Sequence, residues 1–234
     1  MIKLIKLEWK KNNIRKYIRN AFILAVLLCF FVFANAFLGI ANDPDGTLDA
    51  AEGKDIISAT IELFTSMSFL VFTSVMLASF IVSAYKNKTM NLMFSYPIKR
   101  QKILVSQMMA VWIFNFIALV VTKLMIYTCV DVGAKSMQSA FVIDFDMGSL
   151  SFYLQLLAKS VVIVTMSFIA LFVGMAMKSS KATIITSFLL IFLTQANIGD
   201  FSLAGSTVFP SILTVVSFVF AGLSIYNIER KDLM

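Results

Sequence analysis

Residues 84–102 read AYKNKTMNLMFSYPIKRQK and stand between two apolar runs, near residues 57–84 and 103–128. The stretch carries Lys86, Lys88, Lys99, Arg100 and Lys102 and no acid. A bilayer crossing takes about 20 helical residues, so a short basic loop between two such runs is the pattern of a polytopic helical membrane protein. Composition agrees. Soluble domains average about 45–50% apolar and about 25% charged residues, whereas these 234 residues are 59% hydrophobic and 14% charged. The 23 Phe and 14 Met, against 3 Pro and 9 Gly, favour long helices over a strand-rich barrel.

Working outward from the loop, six apolar runs are expected as spans, near 21–41, 57–84, 103–128, 153–177, 182–197 and 207–227. The second is long enough to tilt or to project from the bilayer. The fifth is short and is followed by the moderately polar NIGDFSLAGSTVFP, so residues 198–209 are read as a re-entrant segment at the outer face. Ahead of the first span, residues 1–20 alternate apolar and basic positions at helical spacing. Ile2, Ile5 and Trp9 share a face, with Leu4 close by, which fits a helix lying in the membrane interface. Ala34-Asn35-Ala36 has the small-residue pattern of a signal-peptide cleavage site, but the apolar run continues past it to Ala41, so an uncleaved span is expected.

Sixteen of the 20 basic residues fall in the N-terminal stretch, the 84–102 loop, Lys178 with Lys181, and Arg230 with Lys231. The opposite loops hold Lys54 and Lys135 and most of the acids, among them Asp43, Asp45, Asp49, Glu52, Asp55, Asp131, Asp144, Asp146 and Asp200. Short-loop lysine and arginine bias sets orientation, so both termini are expected in the cytoplasm. The net charge of +7 then serves topology and anionic lipid, and no nucleic-acid partner is expected. The expected fold class is an all-α membrane protein, a single domain of six transmembrane helices with an interfacial N-terminal helix.

The sequence carries little of what catalysis uses. There is no histidine, which removes the usual general base and zinc ligand. No phosphate-cradling G-x-x-x-x-G-K-[ST], no G-x-S-x-G and no H-E-x-x-H occurs. Cys29 and Cys129 fall in different apolar runs, at what read as different depths, and no disulfide framework or metal site is expected.

Ionisable residues inside apolar runs are expensive and therefore informative. Glu62, Lys123 and Lys159 lie at similar depth toward the outer end of their runs. Lys123 is read as snorkelling to the outer headgroups. For Glu62 and Lys159 two readings stand open: an ion pair or the polar lining of an exit path, or a Lys159 that snorkels in the same way. Ser58, Glu62, Ser66 and Thr73, with Thr65 adjacent, form a polar stripe on the second run. Thr183, Thr186 or Ser187, Thr194 and Asn197 form another on the fifth. Such stripes serve helix contact, a dimer interface or a translocation surface, contact being the commoner use.

Within the 84–102 loop, Met90 to Phe94 form a short amphipathic piece closed by Pro97. The loop resembles that of the membrane subunits of ABC-2 type exporters, which reads E-x-K-N-G-T-x-x-x-L-L-x-x-P-[IV]-S-R. Lys86, Asn87, Thr89, Met93, Pro97, Ile98 and Arg100 stand at matching positions, followed by Ile103 and Leu104. Ala84, Lys88 and Lys99 depart from the family's acid, glycine and small residue. The closing Ile228-Glu229-Arg230-Lys231-Asp232-Leu233 also resembles the family's basic-plus-Asp end. The resemblance implies a permease subunit, itself not an enzyme, that pairs as a homodimer or heterodimer around a translocation pathway in a bacterial cell membrane. It implies a separate ATPase subunit that carries ATP and Mg, and a cargo such as an amphipathic peptide, bacteriocin or lipophilic toxin, exported or expelled for self-immunity. The coupling residues it implies are Asn87, Thr89, Met90, Leu92, Met93, Phe94, Pro97, Ile98 and Arg100. Glu62, Lys123, Lys159, Ser66, Thr73, Thr194 and Asn197 are the candidates for the path or an intramembrane ion pair. An ATP-independent channel or secondary transporter, or a membrane anchor or sensor, is the alternative.

Overall fold

A computed structural model describes residues 2–42, 56–86, 100–136, 145–195, 197–198, 201–202 and 208–230. Those residues are almost entirely helical. In chain order they form α1 (Ile2–Lys11), α2 (Ile14–Asn42), α3 (Ile56–Leu77), a π-helical segment (Ala78–Val82), α4 (Ser83–Lys86), α5 (Arg100–Ser136), α6 (Leu150–Ala176), α7 (Ser180–Gln195) and α8 (Val208–Arg230). A minimal antiparallel ladder, β1 (Asn197–Ile198) with β2 (Phe201–Ser202), follows α7.

Among the described residues, four stretches are long and apolar enough to cross a membrane: Ile14–Asn35, Ile57–Val82, Gln101–Gly133 and Leu150–Ala176. Shorter apolar helical stretches run over Ser180–Thr194 and Ser211–Tyr226. The packing pattern inverts that of a soluble protein. On α8 the buried positions are Leu213, Ser217, Ala221 and Ser224, while Ile212, Val215, Phe218, Val219 and Leu223 are exposed. On α7, Thr183 and Ser187 turn inward with Leu190 and Ile191, and Ile185, Phe188, Leu189 and Phe192 turn out. Small and hydroxylated residues inside with large apolar residues outside is the arrangement that lipid as solvent selects.

The helix expected over residues 1–20 is broken. Asn13 adopts a left-handed backbone at φ 50°, which asparagine tolerates better than most residues. The Asn12 amide and side-chain Nδ2 both donate to Glu8 O, at 3.0 and 3.1 Å, and close the end of α1. Residues from Ile14 onward are therefore the base of α2. The inward face of α1 is Leu4, Ile5, Glu8 and Trp9, and Ile2 points out, contrary to the expected face. α5 also runs about two turns past the run near 103–128, and an Asp131–Lys135 pair at 2.6 Å lies on that extension. Its 37 residues rise about 55 Å, well beyond a hydrocarbon core of about 30 Å.

Two compact units are built from these helices, and α3, α5 and α6 contribute a stretch to each. Unit 1 comprises residues 1–14, 68–116 and 161–234. Within it the Trp9 indole Nε1 donates to Ala110 O at 3.0 Å, which fastens α1 to α5. Trp9→Phe keeps the ring and deletes that bond. A loss of about 1 kcal/mol is expected, read as earlier protease cleavage within α1 while the unfolding temperature of the remainder holds. Between α3 and α4 the Ser83 amide reaches back five residues to Ala78 O, the signature of the π turn. α7 packs on this segment, and Gly174 of α6 sits where Thr183 and Val82 meet. The α6–α7 connection is a tight turn with Lys178 left-handed at φ 49° and the Ser179 amide bonded to Gly174 O at 3.1 Å.

Unit 2 comprises residues 15–67 and 117–160. Ala21, Ala25, Leu28 and Val32 make the buried stripe of α2, and Phe22, Val26, Leu27 and Phe30 face outward. The Phe31 and Phe64 rings meet edge to face at 4.7 Å and join α2 to α3. Tyr127, Phe145 and Phe152 form an aromatic cluster at the start of α6, with Tyr127 4.8 and 4.9 Å from the other two rings.

Candidate functional site

In unit 2 the Lys123 ammonium contacts the Glu62 carboxylate, Nζ to Oε2, at 2.6 Å. Lys123 is 0% exposed, and the Glu62 side chain retains 18%. Lys123 therefore does not snorkel. Its side chain is enclosed between helices, where an unpaired ammonium would be prohibitive, and the carboxylate neutralises it. Glu62 sits six residues into α3, and its own carbonyl accepts the Ser66 hydroxyl. Thr65 donates to Ile61 O at 2.6 Å. Those back-bonds leave the Glu62 carboxylate free to face α5.

Lys159 is exposed, on α6, so Lys123 rather than Lys159 is the ion-pair partner of Glu62. Among the described residues, no group of three or more His, Cys, Asp or Glu side chains converges on a metal-sized space.

Unit 1 carries polar residues that hydropathy reasoning passed over. The Asn115 Nδ2 on α5 donates to Val111 O at 2.9 Å and lies 3.3 Å from the Met76 sulfur on α3. One turn back, the Trp112 indole donates to Thr165 Oγ1 on α6 at 3.2 Å. Gln107 is 0% exposed, and among the described residues neither its Nε2 nor its Oε1 meets a hydrogen-bond partner; the same holds for Asn115 Oδ1 and for the hydroxyls of Ser74, Ser106 and Ser224. A buried amide without partners costs on the order of 1–3 kcal/mol, so this is an interior whose polarity packing alone does not explain. The legible signal was Gln107 and Asn115 eight residues apart in one apolar run, two turns along a single helix face.

The polar stripes are largely spent on backbone. Thr73 donates to Phe69 O at 2.6 Å and is buried. Thr186 donates to Ala182 O, Ser187 to Ile184 O, and Thr194 to Ile191 O at 2.9 Å. Thr183 packs against Gly174, the arrangement of a helix contact. Asn197 lies in β1 opposite Ser202. Of the loop candidates, Asn87, Thr89, Met90, Leu92, Met93, Phe94, Pro97 and Ile98 lie outside the described residues, and Arg100 opens α5. Most of the re-entrant segment expected over 198–209 also lies outside them.

The chain is similar to a Bacillus subtilis (strain 168) protein named "Uncharacterized protein YcbO", with 26% identity over 237 residues, covering 98% of this chain and 99% of that one. No protein-family model matches the chain. No solved structure matches it.

Proposed function

We propose that the chain is the membrane subunit of an ATP-driven exporter of the ABC-2 type, crossing a bacterial cell membrane six times with both termini in the cytoplasm. α7 and α8 supply the two further spans, and two such subunits form the pathway, as a homodimer or a heterodimer. The observation that carries this reading is the loop Asn87-x-Thr89 … Pro97-Ile98-x-Arg100, placed between the end of α4 at Lys86 and the start of α5 at Arg100. Met90, Leu92, Met93 and Phe94 offer an apolar knob for a groove on a separate ATPase that carries ATP and Mg, and methionine adapts to irregular grooves. Pro97 stiffens the return to the membrane.

α3, which leads through the π segment and α4 to the loop, is fastened to α5 by Glu62–Lys123 in one unit and by Asn115 against Met76 in the other. A push on the loop is thus carried by a coupled pair of helices. The π segment, one short helix before the loop, is a feature that recurs inside α-helices at functional sites. The cargo class this reading favours is an amphipathic peptide or lipophilic compound. Isolation of the chain from its native membrane with mild detergent tests it: an ATP-binding protein is expected to accompany it, and its absence overturns the reading.

One observation favours an ATP-independent channel or secondary transporter instead. Intramembrane carboxylate–lysine groups such as Glu62, Lys123 and Lys159 also serve proton and ion relays. Substrate flux in vesicles without ATP, driven by a proton gradient alone, selects that alternative.

A further inference from the structure

Cys29 on α2 and Cys129 on α5 both belong to unit 2, and the expectation that they sit at different depths does not hold. The Cys29 thiol is within hydrogen-bonding reach of the Cys129 thiol. One turn further along both helices, the Phe33 ring fills the space that a side chain at Gly133 would take, with Cε2 2.6 Å from a Cβ built there. Positions 29 and 129, then 33 and 133, keep one offset. The two helices therefore run side by side in the same direction, and the meeting of the thiols is a property of that pairing rather than of one rotamer. Both cysteines are half-buried, so the pair is partly open at the surface of the unit.

Two thiols held together on separate helices form a chelate for a soft ligand. A disulfide requires an oxidant to remove two electrons. A monosubstituted arsenic(III) oxide requires none: two As–S bonds form, the As–O bonding breaks, and the oxygen leaves as water with both thiol protons. Arsenic remains trivalent and the product is neutral, which suits an apolar slab where charge is expensive. We propose that Cys29 and Cys129 form an intramembrane dithiol site for thiophilic arsenic(III) compounds, and that occupancy ties α2 to α5. The proposal stands independently of the exporter reading.

The test uses the full chain in lipid nanodiscs, treated with phenylarsine oxide, washed with excess glutathione and weighed intact. One phenylarsenic adduct per chain is expected, resistant to the monothiol wash and removed by 2,3-dimercaptopropanol. Cys29→Ser and Cys129→Ser are each expected to lose the resistant adduct while eluting as monodisperse, helical protein. In the SDS-unfolded chain, where the thiols are 100 positions apart and no longer held together, half-saturation is expected at about tenfold higher arsenical or more. A resistant adduct that survives in either single variant, a wild type with none, or equal half-saturation folded and unfolded overturns the proposal.

Discussion

Glu62→Ala is expected to destabilise unit 2 by ~3–5 kcal/mol, the range for stranding one partner of a buried ion pair. The magnitude follows from Lys123, which is fully enclosed and loses the carboxylate that lies 2.6 Å away. The complementary change is milder. Lys123→Met leaves Glu62 with an exposed edge of 18%, so the stranded carboxylate reaches solvent or headgroups more readily. The double variant Glu62→Leu/Lys123→Met removes both charges and is expected near wild type, because burying the pair costs nearly what the attraction returns. Lys159→Met is expected within about 0.5 kcal/mol of wild type, as for other exposed sites. Thermal unfolding of these variants and the wild type in one detergent checks the order, and adding the single variant Glu62→Leu closes the double-mutant cycle that isolates the pair. Equal, small effects for Glu62→Ala and Lys159→Met would sink the assignment of the pair.

Gly174→Val carries the second large effect. A Cβ on Gly174 overlaps the Thr183 hydroxyl, stands 3.0 Å from Thr183 Cβ and 3.3 Å from Val82 Cγ2. Thr183 is fully buried, and Val82 belongs to the π segment, so the crowding falls on two neighbouring elements at once. Overpacking of this kind costs ~1–3 kcal/mol. Gly133→Ala is expected to be gentler, since the obstructing atoms are the far edge of the Phe33 ring, which turns aside. Thr183→Gly combined with Gly174→Ala restores room and is expected to recover most of the loss, measured by the same unfolding temperatures. If Gly174→Val unfolds at the wild-type temperature, the close α6–α7 approach is wrong.

The long helices were legible in the sequence because an apolar run of span length has few other uses. Their ends were less so. Nothing in hydropathy anticipates that Asn12 and Asn13 stop α1, since a left-handed residue and a side-chain cap decide it. The partner of Glu62 was out of reach for a related reason. Lys123 and Lys159 have the same apparent depth, and only the rotation of α5 and α6 about their axes determines which lysine is enclosed. Apparent depth also misplaces the cysteines, because hydropathy does not show how α2 and α5 are staggered, and that stagger brings Cys129 level with Cys29. Gln107 and Asn115 were visible as letters, but a mean over an apolar window hides two amides.

The central claim is that an ATPase grips the loop after α4. With the chain and the ATP-hydrolysing partner proposed for it in proteoliposomes, Phe94→Asp is expected to remove ~2 kcal/mol of the proposed apolar docking, at least about a tenfold loss of affinity. The half-maximal partner concentration for stimulated ATP hydrolysis is predicted to rise by at least that factor, with the unfolding temperature of the membrane subunit unchanged. Pro97→Gly is predicted to lower stimulation further along the same axis. ATP hydrolysis that is indifferent to the membrane subunit, or indifferent to Phe94→Asp, contradicts the account.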